Sequence, residues 1–154
     1  MKRIDVSQLL PAIGSKYPAP FDEPCRAREA RRIGIAGGLT QFGVNWVRLP
    51  PGAWSSQRHW HEREDEVVYV LEGEITLVTD AGEELLGPGD AAAFKAGDRD
   101  GHHLQNKSER DAVFLAVGSR DDADFGEYSD IDLVFKANRY RGPGGYAHKD
   151  GTPY

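Results

Sequence analysis

Hydrophobic and polar positions alternate most clearly in the middle of the chain. From residue 42 onward short apolar runs are rich in Val, Leu, Phe and Ala, and glycine, proline or acidic turns separate them. That pattern predicts strands at Gly43 to Leu49, Glu66 to Leu71, Glu74 to Thr79, Glu83 to Leu86, Ala91 to Lys95, His102 to Asn106 and Ala112 to Gly118. Gly73 predicts a tight hairpin between the second and third of these, and Asp80-Ala81-Gly82 predicts the next turn. No helical periodicity of any length interrupts 42–118. Many short strands at this spacing predict an all-β domain, a sandwich or barrel.

The flanks differ. In residues 1–41 a short helix is expected at Val6 to Ile13, interrupted by Pro11. Pro18, Pro20 and Pro24 predict an extended arm, because proline forbids regular helix. Gly34 to Gly43 is expected to be a turn between strands. Beyond Ser119 the chain is acid-rich to Asp130. It then offers one apolar run, Ile131 to Phe135, expected to dock on the barrel, and ends in a Gly, Tyr and Pro-rich segment from Asn138. The organisation is an N-terminal arm over 1–41, a β-barrel over 42–118 and a C-terminal extension over 119–154.

Length and charge narrow the function. A chain of 154 residues suits one domain with a proper core. The net charge of −6 comes from 25 acidic and 19 basic side chains, which argues against nucleic acid as a partner. The one basic cluster, RAREARR at Arg26 to Arg32, is expected to be a solvated loop or turn. No apolar run approaches the roughly 20 residues of a spanning helix, and the start lacks a signal-peptide core. A soluble, cytoplasmic protein is expected, with no membrane partner. The lone Cys25 has no thiol to pair with and is expected to be a bystander.

Candidate chemistry concentrates in Pro51 to Gly73. Residues two apart on a strand share a face, so His59 and His61 point one way and Trp60 the other. Glu66 lies five residues past His61 and needs a turn or bulge through Glu62 to Asp65 to rejoin that face. Glu62 and Glu64 are the alternative carboxylates. His102 is the expected third imidazole, from a strand about forty residues on, with His103 as its rival. Three imidazoles and a carboxylate suit one divalent transition metal, Fe, Mn, Ni, Co, Cu or Zn, and do not select among them. Tyr69 is out of phase and expected to pack elsewhere. Phe94 and Leu104 are expected as wall or core, Arg48 and Gln57 as solvated or structural residues rather than polar contacts to a ligand, and His148 as an exposed tail residue rather than a cover folded over the mouth.

This pattern resembles the cupin family. Gly52, His59, His61, Glu66 and Gly73 match its first motif, with one extra residue before the first histidine. Gly89, Gly97, His102 and Asn106 match the second more loosely. Lys95 stands where proline is usual, and four residues rather than two separate Gly97 from His102. The resemblance implies an antiparallel jelly-roll β-barrel and one divalent metal held by His59, His61, Glu66 and His102. It further implies an enzyme of isomerase, oxygenase or lyase type acting on a small oxygen-rich substrate, and the run HWHEREDEVVYVLEGEITL is similar to small cupins likened to sugar-phosphate isomerases. The alternative is a non-catalytic ligand-binding or sensor module; a storage or structural role fits the four ligand types least. A homodimer is expected, with the proline-rich arm exchanged across a two-fold axis.

Overall fold

The computed structural model describes residues 3–139 and 145–154. In chain order its strands are β1 (Ala12–Ile13), β2 (Glu29–Arg31), β3 (Phe42–Leu49), β4 (Glu66–Glu72), β5 (Ile75–Thr79), β6 (Gly82–Leu86), β7 (Ala91–Phe94), β8 (His103–Gln105), β9 (Ala112–Ser119), β10 (Gly126–Glu127), β11 (Val134–Phe135) and β12 (Tyr146–Ala147). One short helix, α1 (Ile33–Gly37), joins β2 to β3. All strand pairing is antiparallel.

A six-stranded sheet in the order β1-β2-β3-β9-β4-β7 faces a three-stranded sheet in the order β6-β5-β8. Alternation along the strands decides which side chains go between them. Val47 of β3 pairs with Phe114 of β9, and Val68 of β4 pairs with Ala116 of β9; all four point inward. Ile75, Leu77 and Leu104 answer from the smaller sheet. One end of the barrel is filled by this apolar packing, and the other carries the polar site. The outer positions of the large sheet form an apolar face in register, Trp46–Leu115–Tyr69–Ala91 beside Val44–Val117–Val67–Ala93.

Several local expectations change. Gly73 closes no hairpin, because β4 and β5 lie in different sheets. It carries the chain from one sheet to the other at φ +73°, and a Cβ there would stand 2.4 Å from the carbonyl oxygen of Asp111. Gly34 to Gly43 contains α1 rather than only a turn; Gly38 ends that helix in the left-handed region. The RAREARR cluster is not loop throughout, since its centre is β2, paired with β3. Val6 to Ile13 holds one turn of 3-10 helix, Val6–Gln8, and then β1. The proline-rich arm is a series of turns rather than an extended strand. It lies along its own chain, with the Gln57 amide donating to the Phe21 carbonyl at 2.7 Å and the Trp54 N–H to the Pro24 carbonyl at 2.9 Å.

The C-terminal extension is largely structured. β10, β11 and β12 form a third small sheet. Tyr128, Leu133 and Phe135 pack there against Tyr17 and Phe21, so the apolar run at 131–135 docks mainly on the arm, and Phe135 reaches the barrel beside the His61 ring at 5.0 Å. Part of the Gly, Tyr and Pro-rich segment, 140–144, lies outside the described residues. Among the described residues no helix is long and apolar enough to cross a membrane.

Candidate metal centre

Three chain segments meet at the polar end of the barrel. Residues 59–62 run beside His102 on one side and 125–128 on the other. The His59 and His102 backbones exchange hydrogen bonds, Trp60 N–H donates to the Glu127 carbonyl, and Glu62 N–H donates to the Phe125 carbonyl. Gly126 permits that close approach, since a Cβ on it would stand 1.9 Å from the Trp60 carbonyl oxygen. The C-terminal extension is therefore a wall of the site.

His59 and His61 share a face as the two-residue period requires, with ring centroids 5.0 Å apart. Glu66 opens β4 after the bends at 62–65 and turns inward, so the expected correction of its phase occurs. His61 Nε2 and His102 Nε2 lie 3.9 and 3.8 Å from Glu66 Oε2. One ligand atom from each of His59, His61 and Glu66 falls within 4.8 Å of the others, and the His102 ring is 5.1 Å from that of His59. The structure thus brings together His59, His61, Glu66 and His102. His103 points elsewhere. Its Nδ1 bonds the Ser56 carbonyl at 3.0 Å, its Nε2 meets the Gln105 amide at 2.9 Å, and its ring packs edge-on to Trp54.

The surroundings leave the right atoms free. His59 Nδ1–H donates to the Gln57 carbonyl at 2.9 Å and His61 Nδ1–H to Asp124 Oδ2 at 2.8 Å, so both Nε2 lone pairs remain for another partner. Phe94, opposite Glu66 in the β4–β7 register, stacks flat on His102 at 3.5 Å. His102 Nε2 is buried without a hydrogen-bond partner among the described residues. An orphaned buried ring nitrogen is costly unless something fills the space before it. Separations of 3.8–3.9 Å are too long for hydrogen bonds. They leave space between the donor atoms for one ion, toward which the donors would draw in slightly at bonds of about 2.0–2.2 Å.

Electrostatics favour the same protonation states. Burial, reinforced by His61 and His102, pushes the His59 imidazolium well below its ordinary pKa. Burial alone would raise the Glu66 carboxyl, but the imidazoles around it, His102 first and then His59 and His61, bring it down to about 2. A neutral imidazole and an ionised carboxylate are the ligand forms of these groups.

A second buried group adjoins the first. Glu64 and Asp124 are 5% and 0% exposed and stand beside His61. Glu64 also accepts the Asp121 N–H at 2.8 Å and is ion-paired with Arg139. Arg139 reaches Asp124 at 3.1 Å and lies over the Phe135 ring. Glu64 is thus interior but turned from His59 and His102, and Glu62 stands apart from both groups. Nothing in the acid-rich stretch from Arg120 to Asp130 distinguishes Asp124 from Asp121 or Asp122, so its place was not legible.

The site opens into a cavity of about 470 Å³ lined by His59, His61, Glu66 and His102 and by residues of both flanks, within the usual range for small-molecule sites. Phe94 and Leu104 line it as expected. Gln57 and Arg48 have the structural roles expected of them: Gln57 is bound to the arm, and Arg48 is ion-paired to Glu29 and Asp111 on the outer face. Tyr69 lies on the exposed outer face, as its phase requires. His148 does not cover the mouth; it bonds Asp132 at 2.8 Å and stacks on Tyr154.

The barrel and its motif are matched by a family model, the cupin domain, over residues 45–118. A solved structure described as a sugar phosphate isomerase from a cupin superfamily, from Silicibacter pomeroyi, is 44% identical. That match covers 99% of this chain and 96% of the other, with a TM-score of 0.94. The chain is a cupin.

This cupin also resembles a structure from Acidithiobacillus ferrooxidans provisionally named a sugar phosphate isomerase. There the identity is 27%, the coverage 83% and 80%, and the TM-score 0.74. The polyketide cyclase RemF from Streptomyces resistomycificus, at 24% identity, 77% and 79% coverage and a TM-score of 0.62, shares the fold. No curated protein sequence matches.

Proposed function

We propose that this cupin holds one divalent transition metal through His59, His61, Glu66 and His102 and is an enzyme acting on a small oxygen-rich substrate in the adjoining cavity. The observation that carries the reading is His102 Nε2, buried and unpartnered, 3.8 Å from Glu66 Oε2. A bound metal would supply Lewis acidity toward a carbonyl or hydroxyl oxygen. The chain's residues do the rest. Gln57 and Asp124 fix the tautomers of His59 and His61, Phe94 holds the plane of His102, and Tyr17, Tyr128 and Tyr146 line the cavity as an aromatic wall.

Among isomerase, oxygenase and lyase chemistry, likeness to the Silicibacter pomeroyi protein favours isomerisation. A test is incubation of the metal-loaded protein with sugar phosphates, small acids and phenols, following isomer ratio and oxygen uptake. Conversion of a sugar phosphate without oxygen uptake supports the isomerase reading; oxygen uptake with an acid or phenol contradicts it. A thermal shift with one of these compounds but no turnover would favour the non-catalytic ligand-binding alternative.

The proposal extends to a cytoplasmic homodimer. The arm lies on its own chain, so the supporting surface is the outer face of the large sheet, where the Trp46–Leu115–Tyr69 row is apolar and Tyr69 is exposed. A second copy of the same face is its proposed occupant.

A further inference from the structure

The cavity carries a cation that the metal site does not use. Arg28 and Arg32 flank β2, and alternation puts them on the face of Ala30, which is core. Glu29 and Arg31 take the outer face, where Glu29 pairs with Arg48 and Arg31 lies over Trp46. Arg28 and Arg32 both line the 470 Å³ cavity with the four candidate ligands.

Arg28 is the unusual member. A guanidinium has five N–H donors. Among the described residues Arg28 spends one, from Nη1 to the Gly14 carbonyl at 3.4 Å, and has no carboxylate in an ion pair. Its Nε is closed off from solvent and has no partner. A partly buried guanidinium without a counter-anion is unfavourable by itself. Three other arginines near the site are engaged: Arg139 with Glu64 and Asp124, Arg58 with Asp80 and Asp130, and Arg120 with the Leu39 carbonyl. Arg32 stands exposed at the rim. Extending the β2–β3 register by one residue places it across from Asn45, whose carboxamide also lines the cavity. Lys16 adds a third positive charge at the mouth.

We propose that Arg28, with Arg32 and Asn45 beside it, anchors an oxyanion group, a phosphate monoester or a carboxylate, carried by the substrate of this cavity. The planar fork of Arg28 matches two oxygens of such a group. The anion would sit on the β2 side, leaving the remainder of the molecule to extend toward His59, His61 and His102. This rests on the reading of the cavity as the substrate site, but not on occupation of the metal centre.

The test is calorimetric titration of the full-length protein, metal-loaded and metal-free, with inorganic phosphate in one arm and acetate in the other. Phosphate binding to the metal-free protein that weakens about tenfold or more in Arg28→Gln is expected. Partial recovery is expected in Arg28→Lys, and no change in Arg48→Gln. Acetate binding with the same dependence identifies a carboxylate rather than a phosphate as the anchored group. Wild-type protein provides a check that needs no variant to fold: phosphate should protect Arg28, and not Arg48, from phenylglyoxal, read by mass spectrometry. Phosphate and acetate both failing to bind the metal-free protein, or binding unchanged by Arg28→Gln, overturns the proposal. His59→Ala separates the two readings. Loss of metal with phosphate binding retained leaves each standing, whereas absence of metal from wild type with phosphate bound sinks only the metal centre.

Discussion

His61 Nδ1 and Asp124 Oδ2 are 2.8 Å apart in a buried pair contributed by the first histidine motif and the C-terminal extension. The carboxylate fixes which ring nitrogen carries the proton and turns Nε2 toward Glu66. It also accepts the Arg63 N–H and faces Arg139, so one buried charge is satisfied from three directions. Asp124→Ala should lower metal affinity about 10- to 100-fold, measured by competition with a chelator. Unchanged affinity would show that His61 needs no orienting partner.

Gly126→Ala should be strongly destabilising. The new methyl would meet the Trp60 carbonyl oxygen at 1.9 Å and the Phe135 ring at 2.6 Å. Backbone cannot yield cheaply, so residues 125–128 must separate from 59–62. A loss of about 1–3 kcal/mol or more is expected, seen as a fall in Tm of several degrees. A melting curve like that of wild type would mean that this wall is not held where the structure has it.

Cys25 is fully buried, and burial raises its thiol to about 11 despite the opposing charge of Arg28. The folded thiol should resist iodoacetamide at pH 8 and react on unfolding. Its folded pKa exceeds the unfolded value near 9. The unfolded chain therefore loses this proton first as pH rises. Stability from this group is complete below pH 9 and falls between about 9 and 11. Urea melts across that range should slope downward, and Cys25→Ala should flatten the slope; an equal slope in the variant would assign it to other groups.

Leu115 lies between Trp46 and Tyr69 on the outer face of the large sheet. Leu115→Glu should shift the protein from dimer to monomer in sedimentation at low micromolar concentration, with metal content unchanged. A wild-type monomer under those conditions contradicts the dimer.

Period two made much of the barrel legible. The inward phase of Val68 and Val70, the shared face of His59 and His61, and the outward Tyr69 all follow from it. Sheet membership did not, because Gly73 reads as a hairpin glycine whether its strands pair or part. The polar surroundings of the site were hidden for a different reason. Asp124 and Arg139 lie in segments without periodicity, and Arg28 sits in a cluster whose charge suggested solvent. Its alternation with Ala30 and Arg32 was the one available sign that it faces inward.

The central claim is that four side chains converge on one metal. Elemental analysis of protein purified without added metal, comparing wild type with His102→Ala and His103→Ala, tests it most directly. The account predicts about one transition-metal ion per wild-type chain, a large loss in His102→Ala and retention in His103→Ala. Equal metal content in wild type and His102→Ala, or loss only in His103→Ala, would contradict it.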